Sequence, residues 1–120
     1  MPHRDPRRGI GTAAEQATAD WYEARGYRIL DRNWRVRAGE LDIVAGRGRT
    51  VVFCEVKARS HDRFGAPVEA ITHTKQLRLR RLAAAYLAAH PQPGCAIRFD
   101  VASVTPGGRA PHVEVLEAAF

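Results

Sequence analysis

The stretch Gly39–Arg59, GELDIVAGRGRTVVFCEVKAR, decides the fold. Two apolar runs parted by Gly/Arg residues read as a β-hairpin. GELDIVA alternates, with Leu41, Ile43 and Ala45 on one face and Glu40, Asp42 and Val44 on the other. TVVFCEVK, rich in β-branched residues, is the most strand-like run in the chain. The glycines of GRGR, residues 46–49, supply the turn. A turn over those four residues sets Ala45 opposite Thr50, Asp42 opposite Phe53 and Glu40 opposite Glu55. Glu40, Asp42, Phe53, Glu55 and Lys57 then share one face. Asp42 and Glu55 become diagonal neighbours, roughly 7–8 Å apart at the backbone.

Charges in strands this apolar are costly unless something pairs with them. Two chemistries meet that demand. The acids can pair with Lys57 at a sheet edge. Alternatively, Asp42 and Glu55 converge on a hard cation such as Mg²⁺, which takes one or two carboxylates together with phosphate and water. Such an ion activates water, and Lys57 stands where it could orient or deprotonate that water or balance charge on a phosphate. Glu40 opposite Glu55 repels it unless a cation lies between them or one side chain turns away. Spacing alone leaves both chemistries open.

Outward from the hairpin, TAAEQATADWYEARG reads as a helix. Thr12 three residues before Glu15 forms a capping box, Gly26 ends the helix, and Ala14, Ala17, Trp21 and Ala24 form its apolar stripe. YRIL and NWRV suggest a strand broken around Asp31 to Asn33. After the hairpin comes a polar loop, then the helix THTKQLRLRRLAAAYLAAHP, stopped by Pro91 and Pro93. Leu79, Leu82, Ala83, Tyr86 and Leu87 make its buried face, and Lys75, Arg78 and Arg81 a basic stripe. CAIRFDVASV and HVEVLEAA are two further strands, with Asp100 expected to pair with Arg98. The order α-β-β-β-α-β-β predicts an α/β fold, a mixed sheet of about five strands flanked by helices.

The chain's 120 residues suit one domain, here 11–120, behind a basic tail at 1–10 that reads as mobile. No run nears the roughly 18 apolar residues of a membrane span, and the N-terminus has no apolar signal region. Cys54 and Cys95 make neither a disulfide framework nor a zinc site, so the cytosol is the expected compartment. A net charge of +6 and a pI near 10.1 favour a polyanionic partner such as nucleic acid. Of the 19 basic residues only Lys57 and Lys75 are lysine. A lysine kept where the chain otherwise uses arginine points to a compact charge that desolvation can deprotonate.

RNWRVRAGELDIVA, VVFCEVKAR, FGAPVEAIT, the lysine opening the second helix, and RFDV together resemble the signature of the YraN-like family, from about Gly11 to the C-terminus. That bacterial family is similar to archaeal Holliday-junction resolvases, within the restriction-endonuclease-like, PD-(D/E)xK superfamily. The resemblance implies a Mg²⁺-dependent DNA endonuclease, with Mn²⁺ able to substitute, acting on branched DNA as a symmetric homodimer. Asp42 falls on the metal-binding Asp, Glu55 on the second acid, and Lys57 on the lysine of the E-x-K element. The Val56 carbonyl is implied as a further metal ligand, and Glu15 as the acid on the first helix. Arg59, Arg63, Lys75 and Arg78 are expected to track phosphates. Leu41 stands where the superfamily's name has proline, and Ala14 where the family commonly has Gly. The alternative is a nucleic-acid-binding module with the same fold and no turnover. The family pattern carries Glu40 as well, with no role assigned to it.

Overall fold

The computed structural model describes residues 6–59 and 71–120, with side chains from residue 12 onward. The elements come in the expected order: α1 (Pro6–Glu23), β1 (Arg28–Val36), β2 (Gly39–Arg47), β3 (Thr50–Ala58), α2 (His73–Ala89), β4 (Ala96–Thr105) and β5 (His112–Leu116). The strands form one mixed sheet in the spatial order β1-β2-β3-β4-β5. Antiparallel pairs flank a single parallel pair, β3 with β4. Parallel neighbours need a crossover, and α2 lies in that connection.

Alternation along the central strands feeds two cores. Val44, Val51, Phe53 and Phe99 face α2, which lays Leu79, Leu82, Ala83 and Tyr86 against them. Leu87, expected in the same stripe, packs at its margin. Ile43, Ala45, Val52, Cys54 and Ala102 face α1 and meet Ala19, Tyr22 and Tyr27. The α1 stripe is rotated from the one expected. Ala14, Thr18, Ala19 and Tyr22 are buried while Ala24 is exposed. Thr18 is tolerated there because its hydroxyl donates to the Ala14 carbonyl at 2.9 Å. Trp21 lies partly buried with the Arg25 guanidinium 3.7 Å over its ring.

Three local readings change. First, α1 begins at Pro6, so residues 6–10 are helical and Thr12 lies inside the helix rather than capping it. Proline suits a first helical turn, whose N–H groups have no intrahelical partner. Residues 1–5 of the expected tail lie outside the described residues. Second, β1 runs unbroken through Asp31–Asn33. The suspected break is a register shift between Ile29 and Asp31, with Asn33 at φ +52°.

Third, the hairpin register differs by two residues. Arg47 pairs with Thr50, Ala45 with Val52 and Val44 with Phe53. The loop is only Gly48–Arg49, with Gly48 at φ +59°, the position a type II′ hairpin reserves for glycine. Gly46, taken as a turn residue, is a strand glycine. A Cβ there would stand 3.2 Å from Leu30, so the neighbouring strand's side chain fills the space.

The Asp100 carboxylate is fully buried on β4 and fully partnered. Arg98 donates twice to it, each at 2.9 Å, the Tyr22 hydroxyl at 2.6 Å and the Ala118 N–H at 3.0 Å. The expected Arg98 pairing therefore belongs to a wider network that ties α1 and the C-terminal segment to the sheet. Burial, reinforced by Cys54 and Asp100, keeps the Tyr22 phenol protonated as the donor. Removing a buried charge's partner typically costs about 3–5 kcal/mol. Asp100→Ala should lower the free energy of unfolding in urea by about that much. Tyr22→Phe should cost only about 1–2 kcal/mol. A loss below about 1 kcal/mol for Asp100→Ala would show that the network does not organise the fold.

Candidate functional site

The β2–β3 ladder stops at Ile43↔Cys54, one residue short of Asp42. Alternation slips at the same place: Ile43 packs on the α1 side while Leu41, two residues away, joins the α2-side core. Asp42 lies between them. Its carboxylate accepts the Val56 N–H at 2.9 Å, so a side chain stands in for a ladder partner. Asp42 therefore occupies the seam between β2 and β3, and the expectation that five residues share one face is corrected to that extent.

Acids reach this seam from both faces. Glu15 comes from α1, next to the buried Ala14, and Glu40 from the start of β2. One carboxylate oxygen each of Glu15, Glu40 and Asp42 lies within 4.8 Å of the others. Glu55, buried on the α2 side, is ion-paired with the Lys75 ammonium of α2, and Lys57 Nζ stands 3.8 Å from the same oxygen, Oε2. Glu40 in turn pairs with Arg35 of β1.

The electrostatics follow from crowding. Burial, then the Glu55 charge, with a smaller push from Glu15, raises the Asp42 carboxyl to about 8, and the Val56 N–H opposes the rise. Burial and the neighbouring Lys75 ammonium hold Lys57 below the usual lysine range, against the pull of Glu55 and Asp42. For Lys75 burial also acts downward, but the hydrogen bond and charge of Glu55 outweigh it and hold its pKa up. Lys75 is thus the fixed cation and Lys57 the amine closer to losing its proton.

Every residue of this cluster falls within the segment 14–104, which matches the model of Uncharacterised protein family UPF0102. The chain belongs to that family. It is similar to the UPF0102 protein of Mycolicibacterium vanbaalenii, 49% identical over 91% of this chain and 90% of the relative. The UPF0102 protein of Symbiobacterium thermophilum is 51% identical over 83% and 85%. That of Moorella thermoacetica is 47% identical over 95% and 97%. UPF0102 is the YraN-like group to which the sequence motifs pointed.

The remaining expected residues of this UPF0102 protein are distributed unevenly. Arg59 is half-buried, its Nε donating to Ser103 Oγ at 2.9 Å and its N–H to the Val104 carbonyl at 2.8 Å. Arg78 is exposed, and its stem runs beside Gly39. Arg63 lies outside the described residues. Val56, expected to offer its carbonyl, meets Asp42 through its N–H. Lys75 was missed as the partner of Glu55, and Glu40, placed on the face of Asp42 without a role, lies beside both Asp42 and Glu15. The rarity of lysine was the available signal for the first. The second needed the positions of α1 and the β2 seam.

Asp42 has a folded pKa of about 8 against 3.8 for the free side chain. Folding therefore binds this proton more tightly. The stability linked to it is full below about pH 3.8 and is lost as pH rises through about 8. Chelator-treated protein should melt at progressively lower temperature between pH 5 and about 9, and Asp42→Asn should flatten that slope. Each kcal/mol corresponds to about 4 °C in a chain of this size. Identical slopes for the two proteins would count against the crowded-carboxylate account.

Proposed function

We propose that this UPF0102 protein is a Mg²⁺-dependent endonuclease that hydrolyses DNA phosphodiester bonds in the cytosol, with Mn²⁺ able to substitute. The observation that carries the reading is the convergence of the Glu15, Glu40 and Asp42 oxygens within 4.8 Å of one another, with Asp42 pushed to about 8. Burial, then the Glu55 charge and a smaller push from Glu15, raises Asp42, and a cation held by these acids would relieve it. The donor set is all oxygen, the preference of Mg²⁺ and Mn²⁺ rather than of thiolate-seeking metals.

Asp42, Glu15 and Glu55 would hold the metal, with the Val56 carbonyl as a further donor, and Glu40 stands close enough to join. Bound there, the ion supplies Lewis acidity toward a phosphoryl oxygen and an acidified water. The chain's own groups do the rest. The Val56 N–H fixes the Asp42 carboxylate. Lys57, with its pKa held down by burial and Lys75, orients the attacking water and takes its proton. Arg59, Arg63, Lys75 and Arg78 are the groups proposed to meet DNA phosphates. Branched DNA is the proposed substrate form, and a two-fold homodimer would bring one site to each of two strands.

A second reading, a nucleic-acid-binding module without turnover, is favoured by one observation. Glu55 and Glu40 already have cationic partners in Lys75 and Arg35. Incubation with Mn²⁺ and a panel of linear, nicked, flapped and four-way-junction DNA separates the two. A nuclease should cut at least one substrate. Asp42→Asn and Lys57→Ala should each slow cutting by about 100-fold or more while DNA affinity changes little. Affinity should also fall steeply with salt. A Lys57→Ala protein cutting at the unmodified rate would end the assignment of Lys57. Salt-dependent binding with no cutting on any substrate would favour the module.

A further inference from the structure

We propose that Lys75 is a resident cation of the acidic site, holding Glu55 until a DNA phosphate draws it away, so that DNA and metal bind with positive coupling. This inference rests on the nuclease reading above and adds a regulation of the same site.

The placement of Lys75 is built into the start of α2. The Thr72 hydroxyl caps the helix by accepting the Lys75 N–H at 3.1 Å, and the Gln76 N–H donates to the Thr72 carbonyl at 2.9 Å. Ile71, just before the cap, is buried and anchors the turn. From this fixed backbone the Lys75 ammonium contacts Glu55 Oε2. The Glu55 side chain is only 8% exposed and that of Lys75 31%, so the lysine covers the acid from the solvent side.

Glu55 Oε2 thus has two ammonium groups within ion-pair distance, Lys75 and, at 3.8 Å, Lys57. A divalent ion sharing this carboxylate meets both positive charges, and its affinity falls with the net charge of the site. Phosphate gives Lys75 a second anionic partner on its open side. A lysine suits the exchange because its point charge rides on a flexible stem, whereas a guanidinium fork would be held by two hydrogen bonds. The chain uses arginine for all but two of its 19 basic residues and keeps lysine at this position. Once the ammonium turns to phosphate, Glu55 gains a free oxygen and the local positive charge drops. Metal affinity rises, and by linkage DNA affinity rises equally with metal present.

Calorimetric titration with Mn²⁺ alone tests the first half. Without DNA, Lys75→Met should bind Mn²⁺ about tenfold more tightly than the unmodified protein, and Lys75→Arg should not. If Lys75→Met fails to fold, Lys75→Gln is titrated instead, since it keeps a hydrogen bond to Glu55 without the charge. The second half uses Lys57→Ala proteins, in which cutting should be at least about 100-fold slower. A short synthetic four-way junction should raise Mn²⁺ affinity about tenfold when Lys75 is present and less than about twofold when Lys75→Met is added. Equal or weaker Mn²⁺ binding by Lys75→Met, or equal enhancement by DNA in both backgrounds, overturns the inference and leaves the nuclease reading standing. No Mn²⁺ binding by any of the proteins overturns both.

Discussion

The candidate site depends on one hydrogen bond, from the Val56 N–H to the Asp42 carboxylate. A buried strand N–H that loses its ladder partner must find another acceptor. Here the partner is lost because β2 and β3 part after Ile43↔Cys54, and Asp42 fills the gap. The parting is what brings the acids together. An unbroken sheet would keep α1 and Glu15 on one side and α2, Lys75 and Glu55 on the other. At the seam both sides are within reach of Asp42. The same bond that closes the backbone's account also locks a carboxylate in position, leaving it little freedom to escape its acidic neighbours.

The cations around the seam are not equivalent. Arg35 and Glu40 meet with both side chains substantially exposed, and pairs of that kind contribute little to stability. The Lys75–Glu55 pair is more enclosed and fastens the first turn of α2 to β3. Lys57 is left as the junior partner, near Glu55 but in the field of Lys75. Sharing one carboxylate divides the two lysines into a cation whose charge Glu55 secures and an amine closer to losing its proton.

Much of the fold was readable from the sequence because periodicity and punctuation agree with tertiary packing nearly everywhere. The strand runs, the α2 face through Leu79, Leu82, Ala83 and Tyr86, and a mixed sheet with helices all follow from patterns of two and of three to four. The failures are local and physical. Gly46 looks like a turn residue in the sequence, but Leu30 needs the space over its Cα, which moves the turn to Gly48–Arg49 and the register by two. A shift by two preserves faces, so Glu55 and Lys57 kept their common side. The slip at Asp42 could not be seen, since alternation is a rule about continuous ladders. Lys75 and Glu40 were obscure for a different reason. Their roles arise from contacts between elements whose relative placement no local pattern encodes.

A fully buried aspartate, Asp100, and a half-buried one, Asp42, make the contrast that bears most on function. Asp100 is surrounded by donors: Arg98, the Tyr22 hydroxyl and the Ala118 N–H satisfy both of its oxygens. The chain can thus accommodate a buried acid completely when the acid serves the fold. Asp42 receives one backbone N–H and lies near Glu15, Glu40 and Glu55, and burial, then the Glu55 charge, raises its pKa. A purely structural Asp42 would be better served by an asparagine, which accepts the same N–H without the repulsion. The contrast with the fully partnered Asp100 sets Asp42 apart among the described residues: its pKa stays raised although the Val56 N–H opposes the rise, and strongly perturbed acids of this kind concentrate at functional sites.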